Sequence, residues 1–376
     1  MHVALLTNTA WLDEELAMFQ HLVVGLLDEQ VQVALVVPDR LPESSEEGLV
    51  QSIVWRDSRW PLMRRHHLVN TAADLARRGV DLIHALDGRL WDGALRLGER
   101  LEAPVILSAY SALDLALLDR LEERIDHTRV MFAAGSEPLA KALADRLGPT
   151  GLVRYVPPGI HVPPMSDLPK SADPGSPGGP GSPRSPEGQD QTTCIVVAGS
   201  GAIDDDYQAL LEALQQIVSE NAQVQLFFDS QFSDQHGLWQ AARRFGLLAN
   251  MSLVPRRLGH RELLLWADVL IHPQPLGRTR SLLIQAMARG MPVLARQDPW
   301  LDCLVDEMTC WTVEQAQPKV WVALIHRVMQ EQRRARVLGH AARQWVRENR
   351  QVSDQVTRTL GMYQRIAGQP IKFPHG

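Results

Sequence analysis

This sequence has little of what marks secreted, membrane-spanning or disulfide-stabilised proteins. Its three cysteines, Cys194, Cys303 and Cys310, are an odd number without the spacing of a disulfide framework. Thiols of this kind suit a reducing compartment. No charged-then-apolar leader opens the sequence, and no apolar run approaches the ~20 residues of a membrane span. We therefore expect a cytoplasmic protein.

Three further absences narrow the function. The net charge is -6 at pH 7, which argues against a general nucleic-acid surface, because phosphate binding needs a basic face. No G-x-G-x-x-G follows the first apolar strand, so a dinucleotide is not expected there. The pair Cys303 and Cys310 has no further ligands nearby in the sequence, so we predict no metal site from it.

Short apolar strands alternate with amphipathic helices in the first half of the sequence. The predicted strands are 3–7, 31–37, 82–86, 105–108, 129–134 and 152–156, and the predicted helices are 13–27, 62–78, 90–101, 113–124 and 137–147. Repeated strand-helix units form parallel sheets that are covered by helices on both faces. Residues 1–162 are therefore predicted to be a Rossmann-like domain.

A stretch rich in Pro, Gly and Ser, residues 163–191, interrupts this alternation. It has almost no large apolar side chain to offset the entropy of ordering, so we predict a disordered linker. The alternation then resumes, with strands at 194–198, 223–229, 251–254, 269–272 and 291–295, and helices at 205–218, 235–247, 260–267, 317–332, 335–349 and 353–367. The 376 residues suit two domains of ordinary size.

The most informative stretch is 266–295, WADVLIHPQPLGRTRSLLIQAMARGMPVLA, in which a strand, a loop, a helix and a second strand follow one another. In an open parallel sheet, the loop after a strand lines the ligand crevice, and the next helix offers free backbone N–H groups there. Arg278 and Arg280 flank Thr279 and Ser281 at this helix start, and they add cations and hydroxyls. We predict an anion-binding site.

This stretch resembles the nucleotide-sugar site of retaining glycosyltransferases of the GT-B fold, family 4 type. The shared residues are Ala267-Asp268, Pro273 and the run from Ala286 to Val293, AMARGMPV. The two glutamates of the family pattern fall at Gly277 and Gln285, so both carboxylates are replaced. The resemblance implies an α/β fold class with two Rossmann-like domains, residues 1–162 and 192–352, and a cleft between them. It also implies that residues 353–376 form a helix that crosses back to the first domain.

The first half is similar to the acceptor-side domain of the same family. The similar segments are Asp81-Leu-Ile-His84, Pro104-Val-Ile-Leu-Ser108 and Val156-Pro-Pro-Gly159-Ile160. The acceptor-side histidine of the family falls at Tyr110. His84 is either a base or a strand-end histidine with a backbone partner.

Three aromatic residues of this half, Trp11, Trp91 and Tyr110, follow predicted strands. They form either an aromatic wall that stacks on a sugar ring or an apolar tail, or parts of the domain core, where large aromatics usually lie. The sequence leaves both interpretations open.

The loop Gly199-Ser200-Gly201 offers backbone N–H groups where the family has an arginine and, later, a lysine that hold the donor diphosphate. Those cations fall at Ser200 and Asp205 here. The carboxylates of Asp204–Asp206 would each repel a phosphate charge at ~4 Å by about 4 kcal/mol at an effective dielectric of ~20, unless a divalent metal bridges them. Alternatively, they form an acidic helix N-terminus, which the helix dipole favours.

Other residues have the chemistry to supply donor contacts. Gln285 can still bond a ribose, and Gly277 can contact a sugar through its backbone. Arg278 and Arg280 are candidates to replace the missing cations from the opposite side. Arg256 follows a predicted strand, as the family's loop residues near the nucleotide base do, although exposed arginines are more often solvated.

These features predict a glycosyltransferase-like protein that takes a nucleotide-sugar donor and a small-molecule, glycan or lipid-linked acceptor, with retention implied by the resemblance. The alternative is a catalytically inactive binding or scaffold protein, because the family's charged positions are replaced. A third hypothesis, an epimerase-like enzyme, would need His84 and Asp87 as acid and base. The run Arg64-Arg65-His66-His67 contacts anionic lipid or a phosphorylated acceptor, or is a solvated helix face.

Overall fold

The computed structural model describes residues 1–37, 50–55, 60–148, 151–165, 192–199, 202–229, 236–254 and 263–368. The chain separates into two compact units. The first comprises Met1–Gly159, Gly277–Thr279 and Val352–Gly376, and the second comprises Ile160–Leu276 and Arg280–Gln351. Most of the predicted linker, from residue 166 to 191, lies outside the described residues.

A parallel seven-stranded sheet in the order β3-β2-β1-β4-β5-β6-β7 forms the centre of the first unit. Its strands are β1 His2–Leu6, β2 Gln32–Val37, β3 Gln51–Val54, β4 Leu82–Ala85, β5 Val105–Ala109, β6 Val130–Ala134 and β7 Val153–Tyr155. The central strand β1 is almost wholly apolar, and Val3 through Leu6 are completely buried. Apolar runs of this kind are expected where helices cover both faces of a parallel sheet.

Five helices of this unit precede the second half of the chain: α1 Thr9–Asp28, α2 Pro61–Arg77, α3 Trp91–Leu101, α4 Leu115–Leu121 and α5 Glu137–Leu147. Helix α1 begins after Asn8, whose side chain accepts a hydrogen bond from the Trp11 N–H at 2.9 Å. Helix α4 is shorter than the predicted 113–124, because Ser111 and Asp114 form a capping box that starts a separate 3-10 turn.

The second unit is built on a parallel six-stranded sheet in the order β10-β9-β8-β11-β12-β13. The strands are β8 Thr193–Val197, β9 Val224–Asp229, β10 Met251–Val254, β11 Val269–His272, β12 Val293–Arg296 and β13 Trp311–Val313. The helices are α6 Asp205–Glu220, α7 His236–Arg244, α8 Ser281–Ala288, α9 Pro318–Gln330 and α10 Gln332–Asn349. Of the predicted helix 260–267, residues 263–266 are helical and 260–262 lie outside the described residues.

The last helix, α11 Val352–Ile366, belongs to the first unit. Its Met362 and Tyr363 are buried in the same core cluster as β1 and α1. The Gln355 side chain also accepts a hydrogen bond from the Gly159 N–H at 2.8 Å. The first core is therefore completed by residues from the far end of the chain.

The predicted α/β class with two parallel sheets is confirmed, and two short strands were not predicted. Strand β3 has four residues and β13 has three, and each lies at an edge of its sheet. Short edge strands carry too few residues to show the alternation on which strand prediction depends. In the described part of the chain, no helix is long and apolar enough to cross a membrane.

A close approach of two backbones holds α10 against the turn before β12. A Cβ atom added at Gly339 would overlap the carbonyl oxygen of Gly290, whereas one added at Gly361 on α11 would meet nothing within 4 Å. We expect Gly339→Ala to lower the free energy of unfolding by about 1–3 kcal/mol, as overpacking does. Gly361→Ala should leave it unchanged or raise it by up to about 1 kcal/mol, because alanine favours helices. Urea denaturation of both variants checks this, and equal effects would contradict it.

Candidate functional site

The strand order reverses beside one central strand in each sheet. Strand β1 lies between β2 and β4, and strand β8 lies between β9 and β11. Ligands of open parallel sheets bind outside the carboxyl ends of the strands at such points. Except for Arg256, the predicted donor residues follow β8 and β11. Of the predicted acceptor residues, Trp11, Trp91 and Tyr110 follow β1, β4 and β5, and His84 lies within β4.

Arg280 connects three segments at the carboxyl edge of the second sheet. Its side chain is 1% exposed and immediately precedes α8. One terminal nitrogen, Nη1, donates to the Gly199 carbonyl oxygen at 3.0 Å, and Nη2 donates to the Asp229 carboxylate at 2.5 Å. Asp229, the last residue of β9, is completely buried. The pair thus ties the loop after β8, the end of β9 and the start of α8 together.

Asp229 was not among the residues predicted from the sequence. Its signal was an acidic residue at the end of a mostly apolar strand, because the carboxyl ends of strands in a parallel sheet form the edge where ligands usually bind. Tyr207 of α6 lies near the same ion pair, and burial raises the pKa of its hydroxyl, with the Asp229 charge adding to the effect.

The acidic turn before α6 is engaged within the second unit. The Asp204 side chain caps α6 by accepting from the Tyr207 N–H at 2.9 Å. Its other oxygen accepts from Gln274 at 2.6 Å, and Asp206 pairs with Arg296 at 3.2 Å. These acids therefore serve as a helix N-terminus. Among the described residues, no group of three or more His, Cys, Asp or Glu side chains is placed to hold a metal ion.

Two further predicted donor residues, Ser281 and Gln285, lie on α8. Ser281 begins the helix and is 5% exposed, while Gln285, one turn later, is half-buried. Residues four apart share one face of a helix. The amide of Gln285 and the backbone N–H groups of the first helical turn are therefore neighbours at this edge of the sheet.

Residues Gly277–Thr279 lie in the loop between β11 and α8, and they belong to the first unit. The Gly277 carbonyl accepts from the Ala112 N–H at 2.7 Å, and Arg278 pairs with Glu14 at 2.6 Å. Gly277 has a φ of +62°, in the left-handed region that favours glycine. Thr279 is 7% exposed.

The structure thus divides the predicted donor residues between the two units. Both arginines that were predicted to replace the family's cations already have carboxylate partners, Asp229 for Arg280 and Glu14 for Arg278. Ser200, Gly201 and Arg256 lie outside the described residues.

On the acceptor side, His84 is buried in a network of neutral side chains. It is 2% exposed, its Nδ1 lies 2.7 Å from the Tyr363 hydroxyl, and its Nε2 lies 2.8 Å from the Ser108 hydroxyl. Its partners are side chains and not the expected backbone group. Burial lowers the pKa of His84 from 6.5 to about 3, so the imidazole is neutral at physiological pH.

Two of the three aromatic residues singled out in the sequence touch each other. The ring centroids of Trp11 and Tyr110 are 6.1 Å apart, and the Trp11 side chain is 6% exposed. The Tyr110 hydroxyl bonds the side chains of Ser108 and Gln355, and burial raises its pKa to about 12. This residue therefore extends the network that surrounds His84.

Trp91 packs elsewhere in the core of the first unit. It is completely buried, its ring meets Phe132 edge-on at 5.6 Å, and its Nε1 donates to the Ser108 carbonyl at 3.1 Å. Trp91 thus serves as a core residue.

Comparison with solved structures finds glycosyltransferases whose folds match this chain over almost its whole length. HepE of Anabaena, in a complex with UDP-glucose, has 15% identity and a TM-score of 0.72, with 98% of this chain and 100% of that one covered. Sucrose-phosphate synthase of Thermosynechococcus elongatus has 16% identity and a TM-score of 0.70, with 98% and 99% covered. A glycosyltransferase of Rickettsia africae has 11% identity and a TM-score of 0.71, with 97% and 98% covered.

No protein-family profile matches the sequence, and no curated protein matches it. The likeness is therefore one of architecture at low identity. It establishes the predicted GT-B fold, with its two Rossmann-like sheets.

The Arg280–Asp229 pair generates a stability prediction. Asp229→Asn leaves a buried guanidinium without its carboxylate, so we expect the free energy of unfolding to fall by about 3–5 kcal/mol. Asp206→Asn breaks the partly exposed pair with Arg296 and should lower it by less than about 1 kcal/mol. Urea denaturation measures both. If Asp229→Asn lowers the free energy of unfolding by less than about 1 kcal/mol, as expected for Asp206→Asn, then the buried Arg280 does not depend on Asp229.

The His84 network predicts an acid sensitivity. Because the folded chain holds His84 neutral down to about pH 3, the unfolded chain binds the proton first as the pH falls below 6.5. Stability is therefore complete above pH 6.5 and is lost toward pH 3, by up to about 1.4 kcal/mol per pH unit.

The variant His84→Gln should lose this part of the pH dependence, measured as the free energy of unfolding from pH 6.5 down to 4. The exposed Gln344 provides the control, since Gln344→Ala removes no titrating group and should keep the pH dependence of the wild type. An unchanged slope in His84→Gln would rule out this origin.

Proposed function

We propose that this GT-B-fold chain is a glycosyltransferase-like protein that binds a nucleotide-sugar donor at the carboxyl edge of its second sheet. The observation that carries the proposal is the start of α8 beside the switch point of that sheet. The buried Arg280 holds it next to Gly199. HepE, which shares the fold, has UDP-glucose bound.

The donor contacts follow from the chemistry of α8. Its first N–H groups have no partners within the helix, and they meet a diphosphate with the positive end of the helix dipole. The half-buried Gln285 amide can both donate to and accept from ribose hydroxyls. In this arrangement backbone donors, and not a free cationic side chain, hold the phosphates.

A catalytically inactive binding protein is the second candidate. Sugar transfer builds negative charge on the leaving diphosphate, and charged or dipolar groups must stabilise it. The carboxylates that pair with Arg280 and Arg278 offset their charges, and the neutral His84 is bonded at both nitrogens. These pairs favour weak or absent turnover, whereas α8 still favours nucleotide binding.

For an active protein we propose transfer to a small-molecule, glycan or lipid-linked acceptor, with retention at the sugar. Its three cysteines are free thiols, which suits our placement of the protein in the reducing cytoplasm.

Nucleotide binding is tested by calorimetry with UDP, UDP-glucose, GDP and ADP, with and without magnesium. We expect one nucleotide to bind and to raise the melting temperature, because a ligand at ~100 times its Kd adds about 2.7 kcal/mol of stability. A folded chain that binds none of them would overturn the proposal. Release of glucose from UDP-glucose, with and without candidate acceptors, then separates the transferase from the inactive binding protein.

The ribose contact is tested by Gln285→Ala. Loss of one or two hydrogen bonds should weaken nucleotide affinity by about tenfold, which corresponds to ~1.4 kcal/mol. The exposed Gln344 on α10 gives a matched control, and Gln344→Ala should bind as the wild type does. Equal affinities for Gln285→Ala and the wild type would remove Gln285 from the site.

A further inference from the structure

The beginning of α2 exposes large apolar side chains beside basic ones. Trp60, which precedes the helix, is 75% exposed, and Leu62 and Met63 in its first turn are 83% and 49% exposed. Arg65 and His66 follow and are also exposed. We call these five residues the α2 tip.

The α2 tip has a basic side chain and no acidic one. The first turn of α2 contains no acidic residue, and the sequence has none from residue 60 through 73. The positive potential of the helix N-terminus therefore meets no carboxylate in the first turn, and Arg65 adds a positive charge in the second. The tip therefore concentrates positive charge on a chain whose net charge is -6. An external anion would offset this concentration.

The apolar side chains indicate what kind of anionic partner fits. Exposed large apolar residues that lie together mark a protein or membrane contact, whereas single ones are ordinary. Tryptophan is enriched at membrane interfaces, and leucine and methionine are apolar enough to enter the acyl boundary. Arginine near the surface of an anionic leaflet is attracted to lipid phosphates. One short surface of this chain carries all of these features.

We propose that the α2 tip docks on the surface of an anionic lipid bilayer. Trp60, Leu62 and Met63 enter the headgroup region, and Arg65 lies at the level of the phosphates. A neutral apolar partner would satisfy Leu62 and Met63 but not the basic residues, so charge complementarity favours the anionic surface. This contact goes beyond the proposed nucleotide binding and does not depend on it.

The experiment is co-sedimentation of the 376-residue chain with vesicles, without nucleotide. One set of vesicles is phosphatidylcholine alone, and the other also contains phosphatidylglycerol. We expect binding to the anionic vesicles only, and we expect salt to weaken it, because salt screens exposed charges. Arg65→Ala should lower partitioning by about fivefold, the effect of one basic residue near an anionic surface. Leu62→Ser should also lower partitioning, since it removes buried apolar area.

Two exposed residues elsewhere in the same unit give matched controls. Leu113 is 76% exposed, and Arg100 is an exposed arginine on α3. Leu113→Ser and Arg100→Ala should partition as the wild type does, and circular dichroism checks that every variant is folded. Three results would overturn the proposal: no binding of the wild type to anionic vesicles, equal binding to neutral vesicles, or binding that Arg65→Ala and Leu62→Ser leave unchanged.

Discussion

The buried ion pair between Arg280 and Asp229 is the constraint on which the carboxyl edge of the second unit's sheet depends. It joins the residue before α8 to the end of β9, and its second hydrogen bond reaches the carbonyl that follows β8. Three segments that are separate in the sequence are thereby held at fixed spacing. Because a buried pair is neutral overall, the dipole of α8 is the main positive potential left at this edge, and the Arg280 guanidinium is engaged.

In the first unit, neutral side chains form the corresponding network. At the carboxyl ends of β4 and β5, His84, Ser108 and Tyr110 bond one another or the side chains of α11. Burial favours the neutral forms of the histidine and the tyrosine. Each unit thus has a Rossmann-like sheet of the GT-B fold, and the polar side chains named here bond other groups of the same unit.

Strand-helix alternation in the sequence predicted most of the elements, because long apolar and amphipathic segments show their period clearly. It did not predict β3 and β13, which are short edge strands. The sequence also singled out Arg280 and His84 but not what they contact. Asp229 is 51 residues from Arg280, and Tyr363 is 279 residues from His84. Such partners depend on which strands are neighbours and on where the last helix packs, and neither can be read from local pattern.

The position of α11 has a consequence for how the protein is made. Domains generally fold as they leave the ribosome, the N-terminal one first. Here Met362 and Tyr363 belong to the core that β1 and α1 begin. The apolar core of the first unit therefore stays incomplete while about two hundred further residues are synthesised. The second unit can fold before the first core is complete. The half that is translated first is the half that is finished last, so premature termination would expose its interior.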